Sequence, residues 1–178
     1  MADERPAVAR YAWGKHLFDL RPLHVERNLL TPLGPLDEAP ANLEGYCRYG
    51  YDEADRVVTV DHHVNRWRTD VDVLTYGDGF VEVEHAAGGT DGTRTRSRLE
   101  LAGGVPSRWT WSTPRGEHEE CYGYEHGRFV RARVVTPGED TLVFHIAWDG
   151  DELARIWSEL EGSGLTVPIF DRKRRSRP

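Results

Sequence analysis

The chain has 178 residues, of which 23 are Lys or Arg and 30 are Asp or Glu, giving a formal net charge of −7. This length suits one domain that buries most of its apolar surface without disulfide or metal staples. The first residues are charged, and no apolar run approaches the ~20 residues that a spanning helix needs. We therefore expect a cytoplasmic protein with no secretory signal and no membrane contact.

The charge is unevenly distributed along the chain. Residues 171–178 carry five basic groups and one acid, so residues 1–170 carry 18 basic against 29 acidic groups, a net charge of −11. An acidic body argues against a nucleic-acid-binding domain. We expect no nucleic-acid partner, although the tail and Arg94, Arg96 and Arg98 could contact phosphates.

The two cysteines, Cys47 and Cys121, are too few for a disulfide framework and lack the CxxC spacing of zinc sites. Each lies just before a Tyr-Gly-Tyr segment. We expect reduced, half-buried thiols in strands, and the alternative is a bridge or a reactive pair between them.

Residues 1–45 contain five prolines and predict an irregular segment that packs on the rest of the domain. Within it, residues 11–20 carry enough apolar bulk to form a short strand or helical turn. The segment is expected to cover a sheet edge or an open barrel end.

Residues 46–147 alternate between period-2 stretches and turn residues, which is typical of an antiparallel β meander. The predicted fold class is mainly β, with the meander curled into a barrel or a sandwich-like wrapped sheet because long open edges must be covered. The predicted strands are 46–51, 56–63, 66–76, 80–86, 93–101, 106–112, 118–125, 128–136 and 141–147.

Residues 148–170 are predicted to form one C-terminal helix, roughly 151–161, and a final strand. Leu153, Ile156, Trp157 and Leu160 fall on one face at helical spacing, and acidic residues occupy the first turn. Residues 171–178 are predicted to be a disordered basic tail.

Alternation assigns side chains to the two faces of each strand. In 66–74, Arg66, Arg68, Asp70 and Asp72 share a face that we expect to meet water. In 93–98, arginines alternate with Thr and Ser, so neither face is apolar. That strand is predicted to be an edge or an exposed hairpin arm.

The strand 118–125 carries the most chemically active side chains. His118, Glu120, Tyr122 and Tyr124 project from one face, with His126 following at the turn, so His-x-Glu could offer metal ligands and Tyr122 could donate to an oxyanion. An exposed polar sheet face explains the same alternation.

The sequence does not identify further metal ligands, and the cofactors, if there are any, are unknown from the sequence. His145 is a candidate, as are His62 or His63 beside Asp61, and His85 after Glu82 and Glu84. His145 also fits a hydrogen-bonded core histidine, because it lies between apolar residues.

Tyr49-x-Tyr51-Asp52-x-x-x-Arg56-Val57 resembles the YD repeat of RHS-type proteins, in which glycine stands where this chain has Asp55. A second copy, Tyr122–Phe129, keeps Gly127-Arg128 but has Glu125 for the aspartate. The resemblance implies antiparallel hairpins with Tyr and Arg packed across neighbouring strands.

Two functions fit these observations. The first is a non-catalytic partner-binding module, immunity-like or accessory, whose acidic surface would suit a basic protein. The alternative is a small β-barrel enzyme or small-molecule binder. Its aromatic cavity would be lined by Trp67, Trp109 or Trp111, Tyr122 and Tyr124, with His118 or His145 and Glu120 moving a proton. The sequence does not indicate an oligomeric state.

Overall fold

The computed structural model describes residues 6–14, 20–22, 35–36, 38, 45–65, 67–87 and 94–172. These residues form thirteen β-strands and no helical segment. Accordingly, no helix of the described residues could span a membrane. Arg66, residue 93, most of the predicted segment 1–45 (including 15–19) and residues 173–178 of the predicted tail lie outside the described residues.

The strands follow one another in a single antiparallel sheet, in the order β13-β12-β11-β10-β9-β8-β7-β6-β5-β4-β3-β1-β2. Their bounds, in chain order from β1 to β13, are Arg10–Gly14, Pro35–Leu36, Gly45–Tyr51, Val57–Val64, Trp67–Gly77, Phe80–Ala87, Arg94–Ala102, Val105–Thr113, Gly116–Glu125, Arg128–Val135, Leu142–Asp149, Glu152–Leu160 and Thr166–Asp171.

The chain divides into two compact units, residues 1–98 and 99–178, with the division inside β7. In the first unit, the buried apolar side chains Val58, Val60, Leu74, Val81 and Val83 come from β4, β5 and β6. Leu74 pairs with Val83, and the paired residues share one face of the sheet, so this face is the apolar core of the unit.

The second unit has its own buried residues on β8 to β12: Trp109, Phe129, Ala132, Val143, Ile146 and Ile156. The indole of Trp148 donates to the carbonyl of Phe129 over 2.9 Å, which satisfies its N–H as burial requires. Each unit therefore has a core of its own.

The predicted meander is confirmed. From β3 to β11, every strand end lies within two residues of its predicted position. The predicted barrel is wrong, because β13 and β2 end the sheet and the described strands are not closed.

The predicted helix is also wrong, because residues 152–160 form β12. Gly150 and Gly162 both adopt positive φ, at 59° and 78°, and they form hairpin turns on either side of this strand. β12 pairs with both β11 and β13, and Ile156 and Trp157 are buried or half-buried on opposite faces. A strand that packs on both faces carries apolar residues without strict alternation, and a bulge at Ala154, opposite Ala147 and Trp148 of β11, shifts the period further.

Two predicted strand environments differ from the structure. β7 lies between β6 and β8, so it is not an edge, whereas the alternative of an exposed hairpin arm fits its first residues, Arg94 to Arg96, which are exposed. Its arginines form ion pairs with glutamates of β6: Arg94 and Arg96 with Glu84, and Arg98 with Glu82. Likewise, Asp72 is buried and not water-facing, because its face of β5 continues into the core residue Leu74.

The first Tyr-Gly-Tyr hairpin is closed by Asp52. Its carboxylate accepts the backbone N–H groups of Ala54 and Arg56 at 3.0 and 2.9 Å and the guanidinium of Arg56 at 2.7 Å. The same guanidinium lies 4.9 Å from the ring centre of Tyr76 on β5, the strand that pairs with β4. Asp55 takes up the left-handed conformation in this turn, with φ of 61°.

Candidate functional site

Four polar side chains form a row across β3, β4, β5 and β6 of the first unit: Cys47, His62, Asp72 and His85. Cys47 pairs with His62, and Asp72 pairs with His85, so all four project from the apolar face of the sheet. His62 lies diagonally opposite Asp72, because its direct partner on β5 is Asp70. The antiparallel register, and not sequence proximity, brings these groups together.

Asp72 contacts both histidines through different oxygens. Nε2 of His62 lies 2.7 Å from Oδ2, and Nδ1 of His85 lies 2.6 Å from Oδ1. One atom from each of the three side chains falls within 4.8 Å of the others. The three residues therefore form a compact His-Asp-His group with its donor atoms converging.

Burial differs sharply across this group. Asp72 retains 7% of its exposure, whereas the side chain of His85 is 41% exposed. Burial lowers the pKa of His62, but its hydrogen bonds to Asp72 and Cys47 outweigh this effect and raise the pKa to about 10. With its pKa raised in this way, His62 can carry the positive charge that compensates the buried carboxylate of Asp72.

The second nitrogen of each imidazole also faces an acceptor. Nδ1 of His62 lies 3.4 Å from Sγ of Cys47, and Nε2 of His85 lies 4.0 Å from Oδ1 of Asp70. In metal sites, such outer partners fix the ring orientation and the tautomer of the ligating histidine. Both histidines are therefore oriented with one nitrogen toward Asp72.

Behind Cys47 lies the ring of Tyr49, whose pKa is raised by burial and by the neighbouring Cys47 and Tyr51. Gly14 of β1 makes room for this ring, since a Cβ at Gly14 would lie 2.3 Å from Cε2 of Tyr49. Glycine at position 14 thus allows Tyr49 to close the buried end of the row.

This arrangement has the donor set of a transition-metal site. Two imidazole nitrogens and a carboxylate oxygen suit Zn²⁺, with bond lengths of about 2.0–2.2 Å. Tetrahedral bonds of this length separate donor atoms by about 3.3 Å, which requires each His–Asp spacing to open by several tenths of an ångström. Small side-chain rotations at three strands would achieve this, with the two bridging protons released.

Cys47, His62 and Asp72 also have the order of a thiol–imidazole–carboxylate relay. A nucleophilic cysteine must meet its substrate, and reactive cysteines are partially exposed. Cys47 has 0% exposure. The burial of the sulfur favours a supporting role for Cys47 over nucleophilic catalysis.

The residues predicted to be functional lie elsewhere, and the structure brings some of them together. His118 stacks on Trp111 at 4.8 Å between ring centres, and Tyr122 donates to Glu120 over 2.9 Å. Trp109 pairs with Glu120 on the same face, and Tyr124 packs against Phe129. His118, Glu120, Tyr122 and Tyr124 thus share one face of β9 with two of the predicted tryptophans.

His145 and Trp67 are not part of that group. His145 pairs with Arg131, whereas Tyr122 pairs with the adjacent Ala132, so His145 projects from the opposite face. It stacks on Trp157. Trp67 belongs to the first unit and is 79% exposed.

An open groove of about 460 Å³ lies in the second unit and is lined by Arg128, Trp148 and His126, among others. None of the aromatic residues predicted to line a cavity contributes to it. The acid–base role of His118, Glu120, Tyr122 and His145, and the ligand-binding role of Trp67, Trp109, Trp111 and Tyr124, stay predictions.

Sequence reasoning named His62 and His85 but paired them with their neighbours Asp61, Glu82 and Glu84. Asp61 instead binds Arg48 on the opposite face, at 2.9 Å, and Glu82 and Glu84 bind arginines of β7. The sequence did contain one signal for Asp72: in a strand it shares a face with Leu74, two residues away, and Leu74 is apolar.

Comparison with known proteins adds no further constraint, because no family model, curated protein or solved structure matches this chain.

Proposed function

We propose that this protein binds a divalent transition-metal ion through His62, Asp72 and His85. The observation that carries the proposal is that each imidazole has one nitrogen at Asp72 and the other at an outer acceptor, Cys47 or Asp70. Ligating histidines in metal sites have an outer partner of this kind, and one donor atom from each of the three side chains already lies within 4.8 Å of the others.

Zinc is the ion that this donor set fits best. Imidazole and carboxylate ligands bind Zn²⁺, and a thiolate-free set of this kind does not select the softer Cu(I). Fe²⁺ is also bound by two histidines and one carboxylate in oxygenases. The proposal therefore names Zn²⁺ as the first ion to test and Fe²⁺ as the second.

A hydrogen-bonded network without metal is the competing interpretation, since a charged His62 already balances Asp72. Isothermal titration of the chelator-treated protein with Zn²⁺ separates the two. We expect one ion per chain, and we expect the His85→Ala variant to lose this binding. Because His85 is half-exposed, its removal should leave the fold intact.

The matched control is His118→Ala, which removes a histidine of the second unit that stacks on Trp111 and contacts the hydroxyl of Thr113. We expect this variant to bind Zn²⁺ as the wild type does. Equal Zn²⁺ affinity in His85→Ala and wild-type protein would remove the proposal, as would the absence of any heat of binding in the wild type.

A second candidate function, binding of a protein partner, is favoured by the exposed apolar side chains of the last strand and the residue before it. Leu165, Val167 and Ile169 are all exposed, on or next to β13. Exposed apolar groups of this kind mark interaction surfaces. The charged strands give less support, because Glu82, Glu84 and Asp61 are neutralised by arginines within the first unit.

The partner function is tested by affinity capture from the native lysate, comparing the wild type with a Val167→Glu/Ile169→Glu double variant. A protein that is retained by the wild type and lost by the variant supports it. Equal capture by both proteins would exclude this surface. The small-molecule function and the sandwich-like wrapping of the sheet stay predictions.

A further inference from the structure

We infer that the metal centre is open: His62, Asp72 and His85 hold the ion, and an external oxygen or nitrogen donor completes its coordination. The inference rests on the proposed metal-binding function and states what that site would bind. Structural zinc sites have four protein ligands, whereas sites that take a substrate or a water have three. The question is therefore whether a fourth side chain can reach the ion.

Cys47 is the nearest soft ligand, and the geometry keeps it away from the ion. Its sulfur contacts Nδ1 of His62, while Asp72 contacts Nε2 of the same ring. The lone pairs of the two imidazole nitrogens point away from each other. An ion bound at Nε2 therefore lies on the far side of the ring from Cys47, which acts as a positioning residue.

Asp70 is excluded by the same reasoning. Its Oδ1 faces Nε2 of His85, whereas Asp72 lies at Nδ1 of that ring. Both candidates for a fourth ligand thus stand behind the histidines. Among the described residues, the cluster of converging donor atoms contains only these three side chains.

The open position can be reached from solvent on one side. Cys47, Asp72 and His62 are buried or nearly so, but His85 is half-exposed and Asp70 beside it is about one-third exposed. An incoming ligand would approach along β6. It would be small and would bind the ion through oxygen or nitrogen, as a carboxylate, a hydroxamate or water does.

The test is substitution with Co²⁺, whose visible absorption reports its coordination. We expect the Co²⁺ protein to show no sulfur-to-cobalt charge-transfer absorption. Titration with azide or acetohydroxamate should shift the visible bands in a saturable manner. Charge-transfer absorption that disappears in Cys47→Ala would overturn the inference by showing that the sulfur closes the site, and so would bands that do not respond to either ligand.

Metal affinity separates this result from a failure of the proposed function. If Co²⁺ binds but azide has no effect, the metal-binding function is supported and the open coordination position is refuted. If no Co²⁺ binds, the metal-binding function and the open position are both refuted. For Cys47 as a positioning residue we expect Cys47→Ala to weaken metal binding by about 10- to 100-fold and to leave the azide response in place. Cys121→Ala, which removes the other thiol, should change neither.

Discussion

His62 and Asp72 form a nearly buried pair, with Nε2 of His62 2.7 Å from Oδ2 of Asp72. Removing one partner of a buried charge pair leaves the other uncompensated, at a cost of about 3–5 kcal/mol. We expect Asp72→Ala to lower the free energy of unfolding by that amount in urea denaturation of the chelator-treated protein. Asp70→Ala, which removes a more exposed carboxylate from the same strand, should cost less than about 1 kcal/mol. Equal losses would show that the burial of Asp72 is not decisive.

Acid should destabilise the second unit through Glu119. The hydrogen bond from Cys121 and the ion pair with Arg108 hold the pKa of Glu119 below its usual range. A lowered folded pKa means that the unfolded state binds the proton more readily. The stabilisation is therefore present above the ordinary glutamate pKa of about 4.3 and is lost as the pH falls through the lower, folded value.

This pH dependence can be measured by urea unfolding at a series of acidic pH values. We expect Glu119→Gln to be less stable than the wild type at neutral pH and to lose less stability on acidification. A suitable control is Glu82→Gln, which removes an exposed ion pair with Arg98. Wild-type and Glu119→Gln stabilities that fall in parallel would contradict the prediction.

The first hairpin contains a residue in a conformation that favours glycine. Asp55 has a φ of 61°, and it is the position at which YD repeats have glycine. Alanine in the left-handed region is less favourable than glycine by about 1 kcal/mol. We expect Asp55→Gly to be more stable than Asp55→Ala by that amount in thermal or urea unfolding.

Both Asp55 variants lose the exposed ion pair with Arg10, so their difference isolates the backbone effect. The same exchange at Glu53, in the same turn but without positive φ, serves as the control. There, alanine should be at least as stable as glycine. If Asp55→Ala were more stable than Asp55→Gly, the positive φ at position 55 would not be a source of strain.

The strand assignment of β12 makes Ile156 a core residue of the second unit. This side chain is fully buried, whereas Ile169 of β13 is exposed. We expect Ile156→Ala to lower the free energy of unfolding by about 2–5 kcal/mol, and Ile169→Ala to change it by no more than about 0.5 kcal/mol. Chemical denaturation measures both variants, which remove the same side-chain atoms from a buried and from an exposed position.

The sequence predicted the features that depend on neighbouring residues, and it failed where residues far apart in the sequence decide the structure. The hairpins were predictable because their signals are local. The residues that form each turn, such as Asp52 and the turn glycines, are close in sequence to the strands they connect. Alternation of polar and apolar residues indicates a strand even when its partner is unknown. β12 was missed because Leu153, Ile156, Trp157 and Leu160 fit a helical stripe equally well. Only pairing with β11 and β13 decides between the two structures.

The group formed by His62, Asp72 and His85 could not be predicted for a related reason. Parity shows which face of β5 carries Asp72, but the diagonal position of His62 beside it depends on the register of β4 against β5. A shift of one residue would move every side chain to the other face. The sequence therefore suggested both histidines as ligands without their carboxylate.

The contrast between Cys47, fully buried, and Cys121, partly exposed, equips the chain with an intrinsic reporter of local opening. A thiol reagent should label Cys121 in the folded protein, whereas Cys47 should react only when β3 and β4 separate. The labelling rate at Cys47 would then measure how often the strands around His62 open. An ion held by His62, Asp72 and His85 would fix the ring of His62, which contacts that sulfur, so metal loading should slow this labelling without altering the rate at Cys121.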